Sequence, residues 1–89
     1  MIFVDEMLMP ATVGRVQGKW SHLFGDDIEE LHRFAEQIGL QRSWFQKDKR
    51  LPHYDVVESK RLAAINAGAV AVTLRQTAEF MKTGRIVLS

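Results

Sequence analysis

Short apolar runs alternate with amphipathic segments along this chain of 89 residues, and this alternation constrains the fold more than any other feature. The runs at residues 1–4, 43–45 and 69–73 have the length of strands, whereas other segments have helical spacing. Because parallel neighbouring strands need a crossover connection, usually a helix, the alternation favours an α/β fold. The predicted order is strand, long loop, helix, strand, helix, strand, helix. It implies a single domain over residues 1–89, with two or three layers and a short, mainly parallel sheet.

Three helices are predicted from capping residues and from the glycines that follow them. A side-chain oxygen at the N-cap and an acid or amide three residues later satisfy the free N–H groups of a helix start. In chain order these pairs are Asp26 with Glu29, Asp55 with Glu58 and Thr73 with Gln76. The glycines expected to end the helices are Gly39, Gly68 and Gly84. The apolar residues of the third helix expected to face the core are Leu74, Ala78 and Met81.

Two segments have no clear period. Residues 7–25 contain glycines and a proline, and they are expected to form either a functional loop or an element that the pattern does not reveal, with Trp20 packed as an anchor. The tail at residues 85–89 is apolar apart from its two ends. It can add a fourth strand to the sheet or pair with a second copy of the chain.

Composition excludes several functional classes. The chain has no cysteine, which rules out disulfide scaffolds, thiolate catalysis and cysteine-based metal sites. No apolar run approaches the length of about eighteen residues that a membrane span needs, and Asp5 and Glu6 interrupt the first apolar run. We therefore expect no membrane association, no signal peptide and a cytoplasmic compartment. Glycine-rich phosphate loops are absent, which disfavours nucleotide cofactors.

The residues best placed for chemistry follow the predicted strands, because ligands of open parallel sheets bind at the carboxyl ends of strands. Asp5 follows the first strand, His22 lies in the long loop, and His53 and Asp55 precede the second helix. These four residues are the catalytic candidates. In an extended segment, His53 and Asp55 would share one face. Carboxylates and imidazoles bind Mg²⁺, Mn²⁺ or Zn²⁺, and the expected metal ligands are Asp5 and His53. For Asp55, the favoured interpretation is that it caps the second helix.

A substrate anion would need cations and hydrogen-bond donors at the same edge of the sheet. The candidates for substrate binding are Tyr54, Lys60 and Arg75, which follow the second and third predicted strands. Arg61 is a further cation that could meet the anion, although a solvated helix position whose stem covers apolar surface fits it at least as well. His32 is expected at the flank of the first helix.

Charge is uneven along the chain, although the formal net charge is +1. Residues 1–45 carry four basic and seven acidic side chains, a balance of −3, whereas residues 46–89 carry eight and four, a balance of +4. Between the two halves, residues 44–50 interleave aromatic rings with cations, as proteins that bind single-stranded nucleic acid do. The favoured alternative places Trp44 and Phe45 in the core and leaves the basic residues on a surface loop.

Recurring motifs extend over nearly the whole chain. They are I-F-V-D at the start, W-S-H-L at residues 20–23, E-L-H-x-F-A at 30–35, I-G-L, W-F-Q, H-Y-D at 53–55, S-K at 59–60 and A-G-A-V-x-V-T-x-R ending at Arg75. In this order they resemble an uncharacterised family of small bacterial and phage proteins. The resemblance implies a stand-alone compact unit and names no substrate. The matching positions among the candidates are Asp5, His22, His53, Tyr54, Asp55 and Arg75.

Three functions fit these observations. The first is a metal-assisted hydrolase of phosphoester or nucleotide substrates, with Asp5 and His53 as metal ligands or base and His22 assisting. In that enzyme, Lys60 and Arg75 would hold the anion. The second is a non-catalytic nucleic-acid or nucleotide-binding module that uses residues 44–50. The third is a protein-interaction module that forms a homo-oligomer, such as a homodimer, through its C-terminal tail.

Overall fold

The structure, a computed structural model, describes residues 1–6, 9–13 and 16–88, which form six strands and three helices. The elements in chain order are β1 (Ile2–Val4), β2 (Met9–Val13), β3 (Val16–Gly25), α1 (Ile28–Gln37), β4 (Phe45–Gln46), β5 (His53–Val57), α2 (Glu58–Asn66), β6 (Val70–Ala71) and α3 (Leu74–Thr83). A short 3-10 turn at Arg42–Trp44 precedes β4. Among these helices, none is long and apolar enough to cross a membrane.

The strands form one mixed sheet. Neighbouring strands follow the order β4, β5, β3, β1, β6, and β2 pairs with β3. Within the described residues, β1 and β6 are parallel, and the other four pairings are antiparallel. The α/β class is therefore confirmed, but the mainly parallel sheet is wrong. β3 runs back beside β1 and pairs with β5 in the same antiparallel sense, so these central neighbours need no crossover helix between parallel strands.

The central strand, β3, lies in the segment that was expected to be either a functional loop or an element that the pattern does not reveal. The second alternative is correct for the described part of residues 7–25, and the long loop in the predicted order of elements is wrong there, while positions 7–8 and 14–15 lie outside the described residues. The second half of β3 is covered on both faces, where the consecutive residues Leu23 and Phe24 are both fully buried. A strand covered on both faces lacks a regular alternation of polar and apolar residues, so its period is not visible in the sequence.

Helices cover both faces of the sheet, which gives the fold three layers. On one face, α1 and α2 pack over a cluster that includes Val4 and Leu23. On the other face, Phe80 of α3 packs against Phe3 and Phe24, with its ring centroid 5.0 Å from that of Phe24. Consecutive residues of β1 and β3 thus point to opposite layers, as the pleat of a strand requires.

Helix ends agree largely with the capping pattern. The N-cap of α1 is Asp27, next to the expected Asp26, and its carboxylate accepts from the Glu30 N–H at 3.1 Å. Thr73 forms the expected capping box at the start of α3. Gly84 ends α3 in the left-handed conformation, with φ at 74°, which glycine adopts without steric strain.

The start of α2 differs from the prediction. Strand β5 continues to Val57, which precedes the helix without a capping side chain. Asp55 is a strand residue that pairs directly with His22 across to β3, so the expectation that it caps α2 is wrong. Pairing with β3 keeps this segment extended, and the helix therefore begins only at Glu58.

The strand expected at residues 43–45 is confirmed only at its end. Trp44 belongs to the 3-10 turn and is 48% exposed, which contradicts its expected place in the core. Phe45 begins β4 and packs against the cluster under α1 and α2. The turn thus separates two adjacent aromatic side chains, one outside and one against the core.

The C-terminal region differs in two respects. Thr77 and Phe80 are the residues of α3 that face inward. The residues expected to do so are instead exposed: Leu74, Ala78 and Met81. The described part of the tail, residues 85–88, adds no strand, while position 89 lies outside the described residues. The tail folds against α3, where Gln76 Nε2 donates to the Val87 carbonyl at 2.8 Å.

Candidate metal centre

Four polar side chains, predicted from the sequence to be catalytic, come together on the sheet face that carries Phe24. Alternate residues of a strand point to the same face, so His22 lies on the side of Phe24, and His53 on the side of Asp55. Asp55 is the direct partner of His22 in the pairing of β3 with β5. Asp5 follows β1 and contacts His22. We call these four residues the His–Asp cluster.

Asp5 holds both the backbone and the ring of His22. The Asp5 N–H donates to the His22 carbonyl at 3.0 Å. The Asp5 carboxylate accepts from the His22 backbone N–H at 2.9 Å and from its ring Nδ1–H at 2.7 Å. This bond places the ring proton of a neutral His22 on Nδ1, and in that form Nε2 has a lone pair. Asp5 is fully buried and His22 is 25% exposed, so the free nitrogen belongs to the more accessible partner.

His53 is oriented by the backbone and faces a carboxylate. Its Nδ1–H donates to the Leu51 carbonyl at 2.5 Å, and its Nε2 lies 3.2 Å from Oδ1 of Asp55. Burial acts to lower the pKa of His53, but the Asp55 carboxylate and the Leu51 carbonyl outweigh burial and raise that pKa. The hydrogen bond from His53 lowers the pKa of Asp55, against the opposing effect of burial. Without a metal ion, the two side chains therefore favour an imidazolium–carboxylate pair.

Three members of the cluster lie close enough together to be candidate ligands of one metal ion. One ligand-type atom from each of His22, His53 and Asp55 lies within 4.8 Å of the others, and the imidazole rings meet edge to face with centroids 4.6 Å apart. A neutral His53 directs a lone pair from Nε2 at the Asp55 carboxylate, so their contact is attractive only when a proton or a cation lies between them. Two ligand atoms on a tetrahedral Zn²⁺ ion are about 3.3 Å apart. The 3.2 Å distance between Nε2 of His53 and Oδ1 of Asp55 is therefore compatible with either a shared proton or a bound Zn²⁺ ion.

Arg61 is a cation that reaches the cluster, although the sequence favoured its neighbour Lys60. The Nε of Arg61 donates to the Asp5 carbonyl at 2.8 Å. Lys60 points elsewhere, since its Nζ donates to the Ile38 carbonyl at the end of α1, at 2.6 Å. Arg75 is exposed in the first turn of α3 and makes no hydrogen bond or ion pair through its side chain within the described residues. Adjacent positions on one helix offered no spacing signal that could separate Lys60 from Arg61.

Tyr54 lies on the opposite face of the sheet, because it stands between His53 and Asp55 in β5. It is fully buried, and its hydroxyl is 2.6 Å from Nδ1 of His32. His32 is 5% exposed, so it belongs to the core and not to the flank of α1 where it was expected. The structure therefore does not bring Tyr54 to the His–Asp cluster.

The fold and the cluster define a small α/β protein with a candidate centre of two histidines and one aspartate. The model of a family of proteins of unknown function, DUF4031, matches residues 2–84, and the chain belongs to that family. The resemblance to an uncharacterised family is thereby confirmed, and the family description names no activity. Comparisons with curated proteins and with solved structures found no match.

Proposed function

We propose that this protein is a metal-dependent hydrolase whose metal ion binds Nε2 of His22, Nε2 of His53 and the Asp55 carboxylate. The observation that carries the proposal is that both imidazoles use Nδ1 for an orienting hydrogen bond, which leaves Nε2 of each ring as the nitrogen for an ion in this proposal. Three protein ligands leave a position for water, which is typical of catalytic zinc sites. Two imidazoles favour Zn²⁺, with Mn²⁺ as the alternative, over Mg²⁺, which prefers oxygen ligands.

In this proposal Asp5 supports a metal ligand, His22, whereas the sequence analysis predicted that Asp5 is itself a metal ligand. A carboxylate that accepts from the outer nitrogen of a metal-bound histidine fixes the ring and raises the basicity of the ligand. Asp5 is placed for this role by its 2.7 Å contact with Nδ1 of His22. The Leu51 carbonyl holds the outer nitrogen of His53 in the same manner.

The substrate class that suits the site is a phosphate ester. Arg61 is bound to Asp5 through Nε, and its terminal nitrogens donate to no described residue, so they are free to bind an anion. Arg75 stays a second candidate for this role, whereas Lys60 is already bonded to Ile38. A metal ion held by the three proposed ligands would supply a water molecule activated for attack at neutral pH. Arg61 would hold the phosphate while the oxygen of that water replaces the alcohol oxygen on phosphorus, and the departing alcohol would take a proton from solvent.

Calorimetric titration of chelator-stripped protein with Zn²⁺, Mn²⁺ and Mg²⁺ tests the metal site. We expect one Zn²⁺ per chain and much weaker binding of Mg²⁺. His53→Gln and Asp55→Asn should each lose this binding, whereas Glu58→Gln, which removes an exposed carboxylate shortly after Asp55, should keep it. Circular dichroism of each variant establishes that it is folded.

Hydrolysis of p-nitrophenyl phosphate and bis(p-nitrophenyl) phosphate by the zinc-loaded protein tests the reaction. We expect release of p-nitrophenol that is lost in Asp55→Asn and restored by neither excess metal nor substrate. Absence of metal binding would leave the cluster an ion pair and overturn the proposal. Binding without turnover of any phosphoester would make the site structural. Activity that requires Fe²⁺ and dioxygen would assign the same ligands to oxidative chemistry.

A further inference from the structure

On the face of the sheet opposite the His–Asp cluster, a buried hydrogen bond determines which nitrogen of His32 is a donor. The Tyr54 hydroxyl is fully enclosed, and Nδ1 of His32 is its hydrogen-bond partner among the described residues. Burial raises the pKa of Tyr54, so the hydroxyl keeps its proton. With no other described acceptor in reach, the hydroxyl donates to Nδ1. A neutral His32 therefore carries its own ring proton on Nε2.

His32 borders an open groove, and its Nε2 is not bonded within the described part of the protein. Yet no buried side-chain nitrogen or oxygen among the described residues lacks a partner. Nε2 is therefore accessible to solvent, and His32 lines a groove of about 710 Å³. The apolar wall of this groove includes Ile28, Phe45 and Pro52. We call it the His32 groove.

The charged lining of the His32 groove favours an anion. Arg42 and Lys47 line it together with a single carboxylate, Asp48. The Oδ1 atom of that carboxylate accepts from the backbone N–H groups of Arg50 and Leu51, at 2.8 and 3.4 Å, which ties Asp48 to its own loop. Arg42 lies 3.6 Å from Glu29, but both side chains are more than half exposed, so solvent screens this contact and leaves Arg42 available.

An exposed indole lies beside the groove. Trp44 is 48% exposed, although a chain of this size gains more by burying its large aromatic side chains. It follows Arg42 closely in sequence and is adjacent to Phe45, whose ring lies 4.7 Å from that of His32. Further cations, Lys49 and Arg50, are exposed in the same loop. Aromatic platforms next to cations are the combination by which single strands are bound, with bases stacked and phosphates neutralised.

We propose that the His32 groove and Trp44 bind single-stranded nucleic acid. A base enters the groove beside Phe45 and accepts from the Nε2–H of His32, a neighbouring base stacks on Trp44, and the phosphates contact Arg42 and Lys47. The ligand class follows from the joint presence of stacking rings, one ring N–H donor and two cations. This site is separate from the His–Asp cluster, so its existence does not depend on the hydrolase proposal.

Fluorescence anisotropy of a labelled short oligothymidylate, at a series of salt concentrations, tests the charged part. The Arg42→Gln/Lys47→Gln protein should bind at least about tenfold more weakly than the wild type. The slope of log affinity against log salt should fall by about 1.4, since each phosphate contact to a single strand contributes about 0.7. The matched control is Lys82→Gln/Arg85→Gln, which removes the same charge from exposed positions at the end of α3 and just beyond it. It should bind within about twofold of the wild type.

The stacking part is tested at the exposed indole, where a substitution is tolerated by the fold. Trp44→Leu should weaken binding about tenfold and Trp44→Phe much less, because stacking on one ring accounts for about 5- to 150-fold in affinity. Asp55→Asn should bind the oligonucleotide as the wild type does. Equal weakening in the control pair would mean general charge attraction, and thymidine monophosphate binding as tightly as the oligonucleotide would mean a small-molecule pocket. Either result, or no binding at all, would overturn the proposal.

Discussion

His53 and Tyr54 are consecutive residues of β5 that act on opposite faces of the sheet. Nε2 of His53 lies 3.2 Å from the Asp55 carboxylate, while the Tyr54 hydroxyl lies 2.6 Å from the ring of His32 in the other layer. The pleat of one strand thus separates the candidate metal centre from the His32 groove. Substitutions at the two positions should therefore have independent effects.

Asp5→Asn should weaken Zn²⁺ binding about 10- to 100-fold, the usual effect of losing a partner behind a metal-bound histidine. The asparagine oxygen can still accept from the His22 backbone N–H, but its amide group donates to Nδ1 and moves the ring proton to Nε2. Competition with a chromophoric chelator measures the affinity. Glu6→Gln, at the exposed neighbouring position, is the control. Unchanged affinity in Asp5→Asn would remove the supporting role of Asp5.

The metal-free protein should be most stable at weakly acidic pH. The pKa of His53 is raised in the folded state above its ordinary value of 6.5. Its contribution to the free energy of unfolding is therefore complete below pH 6.5 and is lost as the pH rises through the raised pKa. The pKa of Asp55 is lowered below its ordinary value of 3.8. Its contribution to the free energy of unfolding is therefore present above pH 3.8 and is lost as the pH falls through the lowered pKa. Urea unfolding from about pH 4 to about pH 9 measures the free energy of unfolding.

Comparison with Asp55→Asn isolates this pair from other titrating groups. The amino group of Met1 also has a raised pKa, caused by Asp26 and Glu30, and adds a loss of stability at higher pH in both proteins. Asp55→Asn should therefore show a smaller decline above pH 6.5 than the wild type, and Glu58→Gln should follow the wild type. Identical declines in Asp55→Asn and the wild type would contradict the ion pair.

Tyr54→Phe should lower the free energy of unfolding by about 1–3 kcal/mol, because Nδ1 of the buried His32 loses its donor. The fold should otherwise persist, since the ring remains to fill the core. Chemical denaturation measures the change, and Zn²⁺ affinity should stay at the wild-type value. Reduced Zn²⁺ affinity with unchanged stability would instead place Tyr54 in the metal site, as the sequence-based hypothesis of a binding role suggested.

Substitutions of Lys60 and Arg61 should distinguish their roles, with Lys60 as a structural cation and Arg61 as a substrate-binding cation. Lys60→Met should lower stability by about 1 kcal/mol, because the Ile38 carbonyl at the end of α1 loses a charged donor. It should leave inhibition by inorganic phosphate unchanged. Arg61→Met should weaken phosphate inhibition of the zinc-loaded enzyme about tenfold. The opposite assignment, with phosphate binding lost in Lys60→Met alone, would restore the role that the sequence suggested for Lys60.

The sequence predicted the members of the cluster better than the way they meet. Asp5, His22, His53 and Asp55 were grouped by the rule for carboxyl ends of parallel strands, whereas His22 and Asp55 are in fact opposed across antiparallel strands. The spacing of His53 and Asp55 did place them correctly on one face, because that inference needs only an extended backbone.

Local signals succeeded and long-range pairing remained hidden. Thr73 begins α3 and Gly84 ends it, and both do so through contacts with residues a few positions away. Sequence patterns record such short-range relationships. The role of β3 depends on partners far along the chain, and its two covered faces erase the polar alternation. Likewise, nothing near Arg61 in sequence indicates that its side chain reaches the Asp5 carbonyl.

Strand β3 presents His22 to one layer and Leu23 to the other; β5 pairs with both residues, β1 pairs with Leu23, and the Asp5 N–H donates to the His22 carbonyl. A slip of one residue in either pairing would exchange the two, sending an imidazole into the helix-covered core and a leucine into the cluster. Misregistered chains would therefore lose packing and metal ligands together. Metal affinity after refolding would then report the alignment of the central strand, even in a variant with no catalytic activity.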